Sequence, residues 1–403
     1  MHIFLNASAA SAASGLTYVR NVVPHLIKFP DIKTTVLLSR SLKEEFAPAP
    51  NLELLVAPEG QSAARRFWFE QHELPGILRR TGAHILISGG NVAILSPPVP
   101  QILLSGNALY FSKEFARDLL QRGEYTAWLD LKLRSWAATR SIYWADCTVA
   151  PSHAFARQLE LWSHRKIETV HHGFDEQLFR ADSGPLPEDI QRKLGSADRA
   201  LRLLHISHYN YFRNFETLFR ALPLLKKCLP DRRVKLVLTC ELKPSADTAS
   251  YDPSRAATLA RELGVEQDLV QLGVIPYRLV HHVYQRCHIY VTAAYAESFA
   301  HPTVEAMSCG LPVVASDLAV HQEICEDAAL YFPCFSPGVL AQQISRVVRV
   351  SELSAKMSAH GPQRVRDFSW SKHVDYVLKL ARNVLRKKGG RYRDLPNESE
   401  CNV

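Results

Sequence analysis

The sequence predicts an α/β protein of two domains, each a parallel sheet flanked by helices. Short apolar runs typical of buried strands alternate with amphipathic stretches typical of helices along most of the chain. The length of 403 residues suits two domains of ordinary size. Residues 176–199 hold Gly184, Pro185 and Pro187 among several charges, which is typical of a linker. We expect a first domain over residues 1–180, a second over 181–368, a final helix over 369–388 and a loose tail over 389–403.

Composition excludes several classes of protein. With 47% hydrophobic and 22% charged residues, the chain has an ordinary globular composition. Half of the formal charge of +8 lies from Ser371 onward, so the body is only mildly basic, and it carries no recognisable nucleic-acid-binding module. Nucleic acid is therefore not an expected partner.

The cysteines and histidines predict no metal site. None of the eight cysteines forms a Cys-x-x-Cys pair, and several lie in apolar runs, which is typical of reduced thiols in a cytoplasmic protein. His171-His172 and His281-His282 are adjacent pairs that point to different sides of an element and chelate poorly. No run reaches the ~18 apolar residues of a spanning helix, and residues 1–10 lack the charged start of a signal peptide.

Each predicted domain opens with a strand, a turn and a helix. In the first, strand Ile3–Leu5 precedes a small-residue loop and a helix over residues 18–26. Further strands are predicted at 34–38, 52–56, 85–87, 101–104 and 148–150, with a broken helix at 65–80 and a long helical region at 112–145. Gly89-Gly90-Asn91 follows one of these strands, at the end where open α/β sheets place ligands. In the second domain, strand Leu201–Ser207 precedes a helix that carries Leu218, Leu222 and Leu225 on one face.

The stretch Glu297–Ser316 combines a loop, a short helix and a buried strand. Pro302 suits the first turn of a helix, and Gly310 suits the left-handed residue after its end. Glu297 then lies in the loop before the helix and Glu305 within it, near amides that can receive a phosphate. Amide donors for a diphosphate beside two carboxylates for hydroxyl groups are what a sugar nucleotide requires.

The stretch has two glutamates eight positions apart in the setting Glu-Ser-Phe-x-His-Pro-x-x-Glu-Ala-Met-x-Cys-Gly-x-Pro-Val-Val. This pattern resembles the signature of family 4 glycosyltransferases. The resemblance covers nearly the whole chain and is strongest over residues 203–370. It implies the GT-B fold, two Rossmann-like domains facing across a cleft. It also implies a retaining, metal-independent hexosyl transfer from a nucleoside-diphosphate sugar, without a cofactor, to a saccharide or lipid-linked saccharide in surface polysaccharide or glycan synthesis.

The resemblance also assigns residues. Glu297 would hold the transferred sugar and Arg213 would stabilise the charge that grows on the leaving diphosphate. Glu305 would bind the ribose. The other donor-binding positions are His208, Asn214, Gly273, Val274, Ser298, Phe299, Ala300, His301, Thr303 and Val304. Ser14, Gly15 and Asn107 would lie in the N-terminal half of the cleft.

Two departures from the family pattern keep other functions open. His208 stands at a basic position, and Gly106-Asn107 stands where many members have a histidine. A catalytically degenerate binding or scaffold protein, and a sugar-nucleotide epimerase or phosphorylase on the same fold, therefore remain alternatives. The final helix carries Lys372, Lys379 and Arg382 opposite an apolar side. The fold favours its packing on the N-terminal domain, with peripheral contact at the cytoplasmic membrane face as the alternative.

Overall fold

The computed structural model describes residues 1–10, 13–58, 60, 62–182, 184–243 and 251–388. Within these ranges it contains thirteen β-strands and seventeen α-helices, arranged around two parallel sheets. The chain divides into two compact units. Unit 1 comprises Met1–Phe111, Thr126–Gly173 and the described chain from Ser369 onward, and unit 2 comprises Ser112–Tyr125 and Phe174–Phe368.

Unit 1 is built on a seven-stranded parallel sheet with the order β3-β2-β1-β4-β5-β6-β7. Most of its strands are largely apolar, because helices cover both faces of such a sheet. Their bounds are β1 His2–Asn6, β2 Lys33–Leu38, β3 Leu52–Val56, β4 Ile85–Ser88, β5 Gln101–Leu104, β6 Cys147–Ala150 and β7 Glu168–Thr169.

The helices of unit 1 include the last helix of the chain. Val374, Val377 and Leu378 on that helix are buried in one core with Val19, Val23 and strand β1. The bounds are α1 Ala13–Leu26, α2 Arg40–Lys43, α3 Ala63–His72, α4 Leu74–Thr81, α6 Tyr125–Trp144 (Tyr125 itself groups with unit 2), α7 His153–Ser163 and α17 Trp370–Lys388.

Unit 2 is built on a six-stranded parallel sheet with the order β10-β9-β8-β11-β12-β13. Its core packs β8, β9 and β11 against helices α10 and α15. The strands are β8 Leu201–His205, β9 Val234–Leu238, β10 Leu269–Gln271, β11 Ile289–Thr292, β12 Val313–Ser316 and β13 Ala329–Phe332. The helices are α5 Lys113–Gln121, α8 Glu176–Phe179, α9 Glu188–Gly195, α10 Phe215–Cys228, α11 Ser254–Glu262, α12 Val280–Gln285, α13 His301–Ser308, α14 Ala319–Cys325, α15 Pro337–Arg349 and α16 Ser351–Val365.

Each sheet has one position at which the strand order reverses. In unit 1 the reversal lies between β1 and β4, and in unit 2 it lies between β8 and β11. The connections on the two sides of such a point leave it in opposite directions, which opens a crevice at the carboxyl ends of the strands where ligands bind. The topology therefore marks one candidate binding edge in each unit.

The structure differs from the sequence-based expectations at three places. The predicted linker contains helices α8 and α9, and Asp175 caps α8 by accepting a hydrogen bond from the Leu178 N–H at 2.9 Å. The helical region at 112–145 is two helices, interrupted at Gly123, which has a φ of 76°. The units change over at Gly173 rather than at residue 180, and Ser112–Tyr125 groups with unit 2, because α5 packs beside the 3₁₀ turn Tyr211–Arg213.

Candidate active site

The binding edge of unit 2 is formed by the loop between β11 and α13. The loop ends at Ala300, whose φ of 65° is left-handed and unusual for a residue with a side chain. The Ala300 carbonyl accepts hydrogen bonds from the Thr303 N–H at 3.0 Å and from the Thr303 hydroxyl at 2.8 Å. Two of the backbone amides predicted to receive phosphate therefore have no free N–H group. That of Thr303 donates to the Ala300 carbonyl, and Pro302 has no N–H.

Glu297 and Arg213 form an ion pair at this edge. The Arg213 Nη1 donates to the Glu297 Oε2 at 2.5 Å, and the two side chains are 18% and 14% exposed. Burial raises the pKa of Glu297, but the charge and hydrogen bond of Arg213 outweigh that effect and hold the pKa below its usual value. Glu297 is therefore ionised at neutral pH.

The histidines around this pair are neutral. Burial lowers the pKa of His301 to about 4, against the opposing effect of the Glu297 carboxylate. Burial also lowers the pKa of His321, whose Nδ1 lies 3.0 Å from the Ser316 carbonyl oxygen. A neutral ring donates to that carbonyl through Nδ1–H, which leaves the buried Nε2 as an acceptor without a partner among the described residues. Arg213 is thus the permanent positive charge of this cluster.

Arg213 retains donors beyond its bond to Glu297. Its guanidinium lies 4.8 Å from the centre of the Phe212 ring, which orients the planar group. Its Nε is buried without a hydrogen-bond partner, and its Nη2 donates to no described residue. A forked guanidinium with an unused nitrogen suits an anionic oxygen.

Glu305 lies in the middle of α13 and is only 7% exposed. Its Oε2 accepts a hydrogen bond from the Tyr284 hydroxyl at 2.8 Å, and the Tyr277 hydroxyl also donates to the carboxylate. Burial raises the pKa of Glu305 to about 7, and the two tyrosine bonds partly offset that increase. The carboxylate is fixed in position, and its charge changes near neutral pH.

Other predicted donor-binding residues serve the fold through their side chains. The Asn214 amide donates to the carbonyls of Ala293 at 3.1 Å and Cys334 at 2.9 Å, while its left-handed backbone starts α10. Phe299 and Val304 are buried in the interior, so their side chains cannot contact a donor. A donor contact of these three residues would therefore be made through the backbone, and their assignments stay predictions.

The remaining predicted donor residues lie around the same edge or at the surface. His208 is exposed, and its carbonyl accepts a hydrogen bond from the Ser207 hydroxyl. Gly273 has a φ of 82°, which favours glycine, and Val274 beside it is 72% exposed. Ser298 is half-buried in the loop next to Glu297.

The residues predicted in unit 1 have mostly local roles. Gly15 lies in α1, where an added Cβ would approach the Ala10 Cα to 3.2 Å. The side chain of Ser14 lies outside the described part of the structure. The Asn107 side-chain oxygen accepts from the Leu109 N–H at 3.1 Å, which stabilises the turn. The placement of Asn107 in the N-terminal half of the cleft stays a prediction.

Sequence reasoning missed Tyr277, Tyr284 and His321. The two tyrosines lie in or beside α12, more than twenty residues before the carboxylate that they hold, so no local pattern links them to Glu305. His321 lies in α14, where it reads as an ordinary buried residue. Their roles depend on contacts between separate elements.

A protein-family model matches the part of the chain that contains this binding edge. Residues 187–364 match the model for "Glycosyl transferases group 1". This segment, the group 1 domain, is similar to the group 1 glycosyltransferases. The group 1 domain contains all the residues that we assigned to the donor site, from His208 to Glu305.

Curated relatives match the chain over part of its length. A D-inositol 3-phosphate glycosyltransferase from Catenulispora acidiphila is 26% identical over 230 residues, which are 57% of this chain and 54% of the relative. The chain thus spans about half the length of the curated relatives it matches.

Solved structures resemble the whole chain in fold. Sucrose-phosphate synthase from Thermosynechococcus elongatus has a TM-score of 0.73 and 17% identity, and the match covers 96% of this chain and 100% of that one. The HepE protein of Anabaena in complex with UDP-glucose has a TM-score of 0.68 and 17% identity, with 95% and 100% covered. These likenesses confirm the predicted GT-B fold class.

The last helix was also a candidate for membrane contact. Its apolar residues, among them Val374, Val377 and Leu378, are buried in the core of unit 1, so that face is not free to enter a membrane surface. Among the described residues, no helix is both long enough and apolar enough to span a bilayer.

Proposed function

We propose that the protein is a retaining glycosyltransferase that moves a hexosyl group from a nucleoside-diphosphate sugar to a hydroxyl of a saccharide or lipid-linked saccharide. The observation that carries the proposal is the Arg213–Glu297 pair at the binding edge of the group 1 domain. One permanent cation and one ionised carboxylate lie together there, where the fold places ligands.

In this mechanism Arg213 binds the diphosphate through the nitrogens that Glu297 does not use. Negative charge grows on the β-phosphate as the glycosidic bond breaks, and a partly buried guanidinium stabilises that charge more strongly than water does. Because Arg213 supplies a permanent charge, we propose that transfer needs no divalent metal.

The two carboxylates bind hydroxyl groups of the donor. Glu297 accepts hydrogen bonds from the transferred sugar, and its lowered pKa keeps it an acceptor over the neutral range. Glu305 accepts from the ribose, held by Tyr284 and Tyr277. A hydrogen bond to a charged acceptor contributes about 1.5–3 kcal/mol, so each carboxylate contributes substantially to donor affinity.

The comparisons suggest the first substrates to test. The HepE structure contains UDP-glucose, and the relatives are named for D-inositol 3-phosphate. We therefore propose a UDP-sugar as donor and a polyhydroxylated acceptor. The single most informative assay is thermal unfolding with UDP, GDP, ADP, dTDP or CDP in the presence of EDTA. Binding to the folded state alone adds about 2.7 kcal/mol at a ligand concentration of 100 Kd.

Variants make this assay specific. Arg213→Ala should abolish the stabilisation by the nucleotide, whereas Arg286→Ala, which changes an exposed arginine of the same unit, should retain it. Arg213→Ala also leaves Glu297 without its cation, so the shift on adding nucleotide is compared, not the melting temperature itself. A wild-type protein that no diphosphate stabilises at millimolar concentration contradicts the proposal.

A degenerate binding protein on the same fold is the second candidate. The exposed His208 at a basic position of the family favours it, because histidine lacks the permanent positive charge that arginine would offer a diphosphate. Glu297→Gln separates the two candidates. An enzyme loses turnover with this variant, whereas a binding protein shows no turnover in the wild type either.

A further inference from the structure

A buried carboxylate lies at the binding edge of unit 1 and has no role in the donor site. Glu70 is in the last turn of α3 and is 4% exposed. Its Oε1 accepts hydrogen bonds from the Ser8 hydroxyl at 2.8 Å and the Asn6 amide at 3.2 Å. No cation forms an ion pair with it among the described residues.

This arrangement is unfavourable for folding. A buried carboxylate without a paired cation costs free energy, and the carboxyl end of a helix is the negative end of its dipole. Burial raises the pKa of Glu70, and the bonds from Ser8 and Asn6 and the more distant charge of Arg66 only partly offset that increase. A buried carboxylate that costs folding free energy is a candidate ligand-binding group when it also lies at the binding edge of a sheet.

The location of Glu70 meets that condition. Asn6 is the last residue of β1, and Gly89 and Gly90 follow β4, so the carboxylate lies where the strand order of unit 1 reverses. A Cβ on Gly90 would lie 3.0 Å from the Ala9 Cβ and 3.9 Å from the Glu70 Oε1. The glycine therefore keeps bulk away from the carboxylate at the point where ligands enter such sheets.

The two oxygens of Glu70 have different environments. Oε1 accepts both internal hydrogen bonds, which fix the rotation of the carboxylate. Oε2 accepts none from the described residues and is not fully enclosed. One anchored oxygen and one oxygen with unused lone pairs suit the binding of a hydroxyl group.

We propose that Glu70 binds a hydroxyl group of the acceptor through Oε2, in a polyol or sugar site formed with Asn6 and Ser8 at the carboxyl ends of β1 and β4. The inference rests on the proposed function. It assigns the acceptor to a named carboxylate, and it involves no covalent step at Glu70.

The first test needs no knowledge of the acceptor. Glu70→Gln keeps the shape and the oxygen that accepts from Ser8 and Asn6 but removes the buried charge. If Glu70 is retained for binding at a cost to folding, Glu70→Gln should have a higher melting temperature than the wild type at pH 8. The gain should be smaller at pH 5, where the Glu70 carboxyl group of the wild type is more often protonated. Glu73→Gln, the same change at an exposed position three residues away, should have no effect. A loss of stability in Glu70→Gln at both pH values identifies a structural residue and overturns the proposal.

The second test measures the reaction. With UDP-glucose as donor and either D-inositol 3-phosphate or octyl β-glucoside as acceptor probe, Glu70→Gln should raise the acceptor KM at least tenfold. The thermal shift with UDP should stay at the wild-type level, because Glu70 lies outside the group 1 domain that binds the donor. Unchanged transfer in Glu70→Gln, or wild-type turnover of neither probe, overturns this inference. A wild type that UDP and the other diphosphates fail to stabilise overturns the proposed function itself.

Discussion

Replacing Tyr284 by phenylalanine tests how Glu305 is controlled. The change removes one hydroxyl that lies 2.8 Å from the Glu305 Oε2 and leaves the buried ring in place. A hydrogen bond to a charged group is worth about 1.5–3 kcal/mol, and one pKa unit corresponds to about 1.36 kcal/mol. The pKa of Glu305, raised to about 7 in the wild type, should therefore rise by about one to two units more.

The expected readout is the affinity for UDP as a function of pH. Ribose hydroxyls need an ionised acceptor, so wild-type affinity should increase as the pH rises through about 7. In Tyr284→Phe the same increase should occur about one to two pH units higher, with a several-fold weaker affinity at pH 7.5. Isothermal titration calorimetry between pH 6 and 9.5 measures both. Tyr290→Phe, which alters another buried tyrosine of unit 2, should leave the midpoint unchanged.

The sign of the linked stability effect is also fixed. Glu305 has a pKa of about 7 in the folded protein, above its ordinary value of 4.5, so the folded state binds more protons between these pH values. The free energy of unfolding should therefore decrease as the pH rises through this window, and Glu305→Gln should remove that decrease. A Tyr284→Phe variant with the wild-type midpoint for UDP binding would refute the proposed role of the tyrosine.

Three further predictions concern the folded state. Gly173→Ala should destabilise unit 1 by several kcal/mol in thermal melts, because the new Cβ would overlap the Trp370 backbone. The control Gly338→Ala, which has open space around the new Cβ, should be neutral or stabilising. Ala300→Gly should raise the melting temperature slightly, since a left-handed residue with a Cβ costs about 1 kcal/mol; a clear loss of stability would contradict this. Arg122→Ala should cost about 3–5 kcal/mol in urea unfolding, because it leaves two mostly buried carboxylates without their cation.

Local patterns were sufficient to predict the short helix that carries Glu305 and the parallel sheets. Pro302 and Gly310 predicted a helix from about 302 to 309, and α13 spans His301–Ser308. The alternation of strands and helices predicted parallel sheets, because only a crossover connection joins parallel neighbours. These features depend on residues close together in the sequence.

The parts that sequence reasoning did not predict depend on long-range contacts. Glu70 reads as one more glutamate at the end of an amphipathic helix, and only the tertiary structure places it beside Asn6, 64 residues earlier. The grouping of Ser112–Tyr125 with unit 2 rests on ion pairs such as Arg122–Glu216, which no spacing rule anticipates. Phe299 belongs to the family motif, but its side chain is buried. The same short stretch of sequence supplies both the motif and part of the core.

The division of the chain has a consequence for its biosynthesis. Unit 2 ends at Phe368, whereas unit 1 needs α17, which is translated after all of unit 2. Until that helix emerges from the ribosome, apolar residues of unit 1 such as Val19 and Val23 lack a large part of their cover. The usual order, in which the amino-terminal domain of a nascent chain folds first, would thus be reversed. A chain released after Phe368 should therefore contain a protease-resistant second unit and a protease-sensitive first one.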